Sequence, residues 1–162
     1  MKKIVFTVGL IIIALGISGQ SPSDHHEEDH HSNGIGFGLG MSHLINENEW
    51  VPGFHLHYGK LLGEKQRFSV GSGVELLLDD HRHSSVALSF GYGLTSALSV
   101  AYGPGLDFPL AKDAEKAVHL AHHFEISYEF DMDFLHLGPM VEYGFSSEDQ
   151  HWMVGIHAGF GF

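Results

Sequence analysis

Fifteen histidines and twenty acidic residues, against eight lysines and arginines and no cysteine, are the residues of this 162-residue chain that carry chemistry. Imidazole and carboxylate together suit the divalent transition metals Zn, Cu, Ni and Co. Without a metal, the same groups form hydrogen-bonded pairs that titrate near neutral pH. The missing cysteine excludes a disulfide framework and lipoprotein attachment. One population of these residues is the run Asp24-His25-His26-Glu27-Glu28-Asp29-His30-His31. The other is spread through the rest of the chain: His55, His57, Glu75, Asp79, His119, His123, Glu125, Glu129, Asp131, His136, Glu142 and His157.

What must position the second population is read from the pattern around it. Residues 1–20 have the form of a secretory signal peptide: Lys2 and Lys3, an apolar run from Ile4 to Ile17, then Ser18, Gly19 and Gln20. Residues 21–33 are polar and aperiodic, and are expected to be a flexible periplasmic tail. The tail is either a solvated acidic segment or a low-affinity divalent-metal site formed by His25, His26, His30 and His31. From residue 34 onward large apolar residues alternate with small or polar ones at the period of a strand. Turn-forming clusters mark off eight segments, 34–44, 50–61, 67–79, 84–94, 96–107, 118–131, 134–145 and 151–162. Lengths near ten residues match the 9–11 that a tilted strand needs to cross a bilayer.

The two faces differ in kind. In segment 84–94, Val86, Leu88, Phe90, Tyr92 and Leu94 oppose Ser85, Ala87, Ser89, Gly91 and Gly93. In segment 151–162, Trp152, Val154, Ile156, Ala158, Phe160 and Phe162 oppose Met153, Gly155, His157, Gly159 and Gly161. A soluble barrel places bulky apolar residues inside and charged ones in water. Here the opposite face is Gly, Ala and Ser with almost no Lys or Arg, which suits the narrow lumen of a barrel whose outside meets lipid. Aromatic residues gather toward strand ends, as in interfacial girdles. The expected fold is therefore an all-β, eight-stranded antiparallel up-and-down transmembrane barrel over residues 34–162. A formal net charge of −12 argues against nucleic acid as a partner.

The final Gly159-Phe160-Gly161-Phe162, with apolar residues at alternate positions, resembles the C-terminal strand signature of bacterial outer-membrane barrels. His157 stands where the fuller signature has glycine. With a leader and eight strands, the chain is similar in architecture to the small outer-membrane barrels of the OmpA/OmpX/OmpW type. That resemblance implies a bacterial outer-membrane location, recognition by the barrel assembly machinery and a monomer in the lipid bilayer. It also implies a periplasmic N-terminus, with the short loops 45–49, 80–83, 108–117 and 146–150 facing outward.

Lumenal carboxylates in such barrels need basic partners. Lys60, Lys65, Arg67, Arg82, Lys112 and Lys116 all fall in turns, loops or strand ends, so histidine is the partner within reach. Pairing about Met132-Asp133 is expected to set Glu129 opposite His136 and His123 opposite Glu142. The candidate lumenal ligands are His55, His57, His119, His123, Glu125, Glu129, His136, Glu142 and His157. Two readings of the lumen stand: a closed structural polar network, and binding or passage of a divalent metal or small solute. Asp79-Asp80-His81-Arg82-His83 is a further polar cluster at the outer mouth, read as surface. A lipid A-modifying enzyme requires a nucleophile and base on the barrel wall. His122 falls on the lipid face and Ser127 on the other, so the chain is read as non-enzymatic.

Overall fold

Alternation at period two can be satisfied by strands alone, because only strands put every second side chain on one face. The computed structural model describes residues 32–63, 65–80, 83–110, 118–132 and 135–162, and their regular structure is entirely β. The expected leader and the tail with His25, His26, His30 and His31 lie outside the described residues. The strands are β1 (Asn33–Leu44), β2 (Glu49–Leu62), β3 (Phe68–Leu77), β4 (His83–Gly93), β5 (Leu98–Pro109), β6 (His119–Tyr128), β7 (Phe130–Met132), β8 (Leu135–Phe145) and β9 (Gln150–Gly161).

Strands β1 to β6 pair antiparallel in sequence, β6 and β7 both pair with β8, β8 pairs with β9, and β1 pairs with β9 to close the sheet. Strands β6 and β7 form one wall. Both pair with β8 in a single register, Glu125 opposite Glu142 and Asp131 opposite His136. The break at Glu129 has a simple cause: β5 begins at Leu98, so residues 130–132 overhang it and have β8 alone as neighbour. The result is a closed eight-stranded barrel, and closure removes the unpaired edges that a bilayer penalises by several kcal/mol per orphan group.

Two expectations are corrected in detail. Pairing runs on to Met132 opposite Leu135, past the expected turn at Met132-Asp133. The register is therefore shifted by two, and Glu129 does not face His136, nor His123 Glu142; a shift of two keeps every side chain on its expected face. Strand β5 also runs to Pro109, into the expected loop 108–117, because Phe108 and Pro109 pair with Ser84 and His83.

The two ends differ. At the terminal end, Asn33 and Phe162 exchange backbone hydrogen bonds of 3.2 and 2.9 Å, at the same end as the turn 94–97. Thr95 Oγ1 closes this turn by accepting the N–H groups of Ala97 (3.2 Å) and Leu98 (2.9 Å). The loop end carries the turns 45–48 and 146–149 among the described residues.

The outer face is apolar throughout its middle. Ile35, Phe37, Leu39 and Met41 on β1 and Val154 and Ile156 on β9 are all about half exposed. Aromatic rings cluster at both ends, Tyr143 on Trp152 (centroids 4.5 Å) toward the loop end and Phe68 on Tyr92 (4.8 Å) toward the terminal end. Trp152 and Phe160 on β9 are separated by about 26 Å at ~3.3 Å per residue, or ~20 Å once the strand tilts. That fits the height of a lipid-facing band.

The lumen is not uniformly small and polar, as the alternation suggested. Toward the loop end it is filled by Leu44, Val51, Leu77, Met140 and Met153, all at most 3 % exposed. These residues share parity with the polar set and so must point inward. Burying each contributes about 1.5–3 kcal/mol that a water-filled lumen would forgo.

Candidate functional site

The histidine and carboxylate groups occupy the lumen between this apolar plug and the terminal end. Strand β1 makes room for them. Gly36 lies opposite His57, and Gly38 lies between His55 on β2 and His157 on β9. A Cβ at Gly36 would overlap the rings of His57 and His157, and one at Gly38 the ring of His55. Glycine at these alternate positions thus supplies the volume that three imidazoles need. Gly144 does the same for His151.

The three imidazoles form a compact group. The rings of His57 and His157 stack at 5.0 Å and 8°, and His55 stands 5.5 and 5.9 Å from them. His55 Nδ1 donates to Glu142 Oε2 at 3.3 Å, and His157 Nδ1 lies 3.1 Å from Glu129 Oε1. Ser127 braces Glu129 by donating to the same oxygen at 2.9 Å. Both histidines therefore point Nδ1 at a carboxylate, while their buried Nε2 atoms have no hydrogen-bond partner among the described residues. This is how metal-ligating histidines are held: a carboxylate fixes the tautomer and the other nitrogen faces the ion.

A second group lies deeper, against the plug. His123 Nδ1 donates to Glu142 Oε1 at 2.6 Å and stands 3.6 Å from Glu75 Oε2. His151 Nε2 is 3.3 Å from Glu75 Oε1, and His151 Nδ1 bonds Asp149 Oδ2 at 3.2 Å. Burial alone would raise the Asp149 carboxyl in its turn, but the hydrogen bond and charge of His151, with the charge of His83 and the Gln150 N–H, together outweigh it and hold the group below its usual range. Glu142 ties the two groups together, since its two oxygens serve His55 and His123.

Three sets of donor atoms lie within 4.8 Å of one another: His55, His57 and His157; Glu75, His123, Glu142 and His151; and His55, Glu125 and Glu142. Donors about 3.3 Å apart surround a tetrahedral zinc with Zn–N near 2.0–2.1 Å. Side-chain movements of ~1 Å would bring the first two sets to that spacing. Those two sets share no residue.

The structure sorts the sequence candidates. His55, His57, His123, Glu125, Glu129, Glu142 and His157 meet in the lumen. His119 does not join His55 and His57; it sits at the loop end, bonded to Ser147 Oγ at 2.9 Å and 3.4 Å from Glu148. His136 stands at the terminal mouth, 3.9 Å from an exposed Asp131. His151 was missed because it begins the last segment and read as a boundary, although it shares parity with Met153 and His157. Glu75 was placed inward but not counted as a ligand. His122 is on the outer face, as expected, where it accepts from Tyr102 Oη (2.8 Å) and stacks on Phe145 at 5.0 Å. It belongs to the aromatic belt. Ser127 bonds Ser99 and Glu129 inside.

A cavity of about 670 Å³ runs from the histidines to the turns of the terminal end. Beyond them toward the loop end the next void, lined by Glu75, Leu77, His123 and His151, is about 10 Å³. That is below or at the limit for one water. Over the described residues the lumen is a cup open toward the terminal end, with no continuous bore.

No known protein family matches the chain, and no curated protein does. Solved structures do. The N-terminal β-barrel domain of Pseudomonas aeruginosa OprF aligns over 82 % of this chain and 100 % of its own, at 12 % identity and TM-score 0.57. The Yersinia pestis attachment invasion locus protein Ail aligns over 82 % and 99 %, at 12 % identity and TM-score 0.53. Neisserial surface protein A aligns over 80 % and 96 %, at 8 % identity and TM-score 0.54. The shared feature is the fold, that of the small eight-stranded transmembrane barrels.

Proposed function

We propose that this chain is an outer-membrane barrel of a bacterium, exported by a cleaved leader, that binds a divalent transition metal inside its lumen and performs no catalysis of its own. The lipid-facing exterior and the architecture shared with OprF, Ail and neisserial surface protein A support the location. The terminal end then faces the periplasm, and the C-terminal strand is the segment offered to the assembly machinery. The observation that carries metal binding is the set His55, His57 and His157, with Nδ1 of two of them aimed at carboxylates and their Nε2 atoms without partners. Glu75, His123, Glu142 and His151 form a second, deeper donor set. The plug favours binding over passage.

The test is calorimetric titration of Zn²⁺, Cu²⁺, Ni²⁺ and Co²⁺ into the refolded full chain with His25, His26, His30 and His31 replaced by alanine, so that the tail does not contribute. Expected is at least one site tighter than about 10 µM, ~7 kcal/mol of binding, that is lost when His55 and His157 are also alanine. Binding no tighter than millimolar for all four metals returns the lumen to a structural polar network. Planar-bilayer recording is expected to be silent; a steady conductance would contradict the closed plug.

A further inference from the structure

The three imidazoles line a cavity far larger than an ion requires. An ion with a few waters fills on the order of 100 Å³ at ~30 Å³ per water. The cavity above His55, His57 and His157 is about 670 Å³, within the range of roughly 300–1,000 Å³ typical of small-molecule sites. Its walls are built to be wide. Ser69, Ser89, Gly91 and Gly103 line it with hydroxyls and bare backbone, and Lys65 and Arg67 stand at its mouth.

We infer that the lumenal metal is held as a ternary complex, its open coordination position filled by a small anionic oxygen- or nitrogen-donor ligand, such as a carboxylate chelator, lodged in this cavity. The inference rests on the proposed metal site and specifies what completes it. Three protein donors leave a fourth position of a tetrahedral ion to an exogenous ligand, and His55, His57 and His157 all line the cup. The cavity's own charges favour such a ligand only when the ion is present. Glu125 and Glu129 also line the floor and repel an anion. A divalent ion on the imidazoles offsets them, and the mouth cations Lys65 and Arg67 complement the ligand's outer end. Anion binding is therefore conditional on metal, and both enter from the terminal end, since the plug of Leu44, Leu77, Met140 and Met153 closes the other.

The experiment uses the refolded full chain with the four tail histidines replaced, loaded with one equivalent of Cu²⁺. Azide probes the open position and citrate the cavity. Azide is expected to produce a new azide-to-copper charge-transfer absorption. Citrate is expected to shift the copper EPR spectrum while copper stays with the protein, and to bind the metal-free protein at least about tenfold more weakly. Ser89→Phe, which fills the cup without touching the donors, is expected to keep copper and the azide band and to weaken citrate about tenfold. Ser69→Phe on the neighbouring strand is the second variant, should the first not fold. Bound copper indifferent to both azide and citrate would overturn the inference, because the site would then be closed by protein donors. Copper stripped from the protein by citrate would overturn it as well. Copper that never binds sinks the underlying metal site too, and is recognised by the absence of any protein-bound copper signal.

Discussion

The two halves of the lumen are lined by strands of one pattern and do opposite things. Toward the loop end, inward positions carry Leu44, Val51, Leu77, Met140 and Met153, and the space is filled. Toward the terminal end, inward positions on the same strands carry glycine, serine and histidine, and a cavity of about 670 Å³ remains. Strand β3 crosses both regimes, passing from Ser69 and Gly71 through Glu75 to Leu77. The histidine–carboxylate network sits at the boundary, where the plug removes water from one side and the cup supplies access from the other. A packed half gives rigidity, and an open half gives a place to bind.

The sharpest way to break this contrast is to hollow the plug. Leu77→Ala is expected to cost about 2–5 kcal/mol by leaving a cavity that cannot collapse, read as urea unfolding in vesicles. Ser89→Ala in the open half should stay within about 0.5 kcal/mol of the parent. Equal costs would mean that the two halves are packed alike. Next in size, Gly38→Ala drives a methyl into the His55 ring and is expected to cost ~1–3 kcal/mol. Gly59→Ala, whose added carbon meets nothing within 4 Å, should be close to neutral, within about 0.5 kcal/mol.

Two further substitutions sharpen the boundary itself. Glu142→Gln removes the charge that orients both His55 and His123. It should weaken lumenal metal about 10–100-fold, as loss of an outer-shell carboxylate does. An unchanged affinity would show that this carboxylate does not act through its histidines. Smallest of all, His119→Ala and His136→Ala remove histidines at the two mouths, whose ion pairs are exposed and worth at most ~1 kcal/mol. Neither should change lumenal affinity by more than about twofold, and a large loss from either would relocate the site.

The barrel was legible in the chain because lipid imposes a strict rule on one face, and Ile35, Phe37, Leu39 and Met41 obey it without exception. Parity alone also put His55, His57, His123, Glu125, Glu142 and His157 inside. What parity does not encode is height along the barrel or which strands face one another across it. His119 and His136 have the correct parity yet sit at opposite mouths, and His157 meets His55 and His57 only because β9 closes onto β1. The Glu129–His136 pairing failed for a related reason: a hairpin's register depends on where its turn falls, and a slip of two residues leaves the face pattern unchanged. The plug went unread because Leu44, Leu77 and Met153 look like ordinary strand residues until the inward face is known to narrow around them.

Zinc-edge anomalous scattering from crystals of the refolded full chain grown with Zn²⁺ tests the central claim most directly. The expected result is a lumenal peak about 2.0–2.1 Å from ring nitrogens of His55, His57 and His157. A lumen without any peak, with zinc found only on the exterior or not at all, would contradict it.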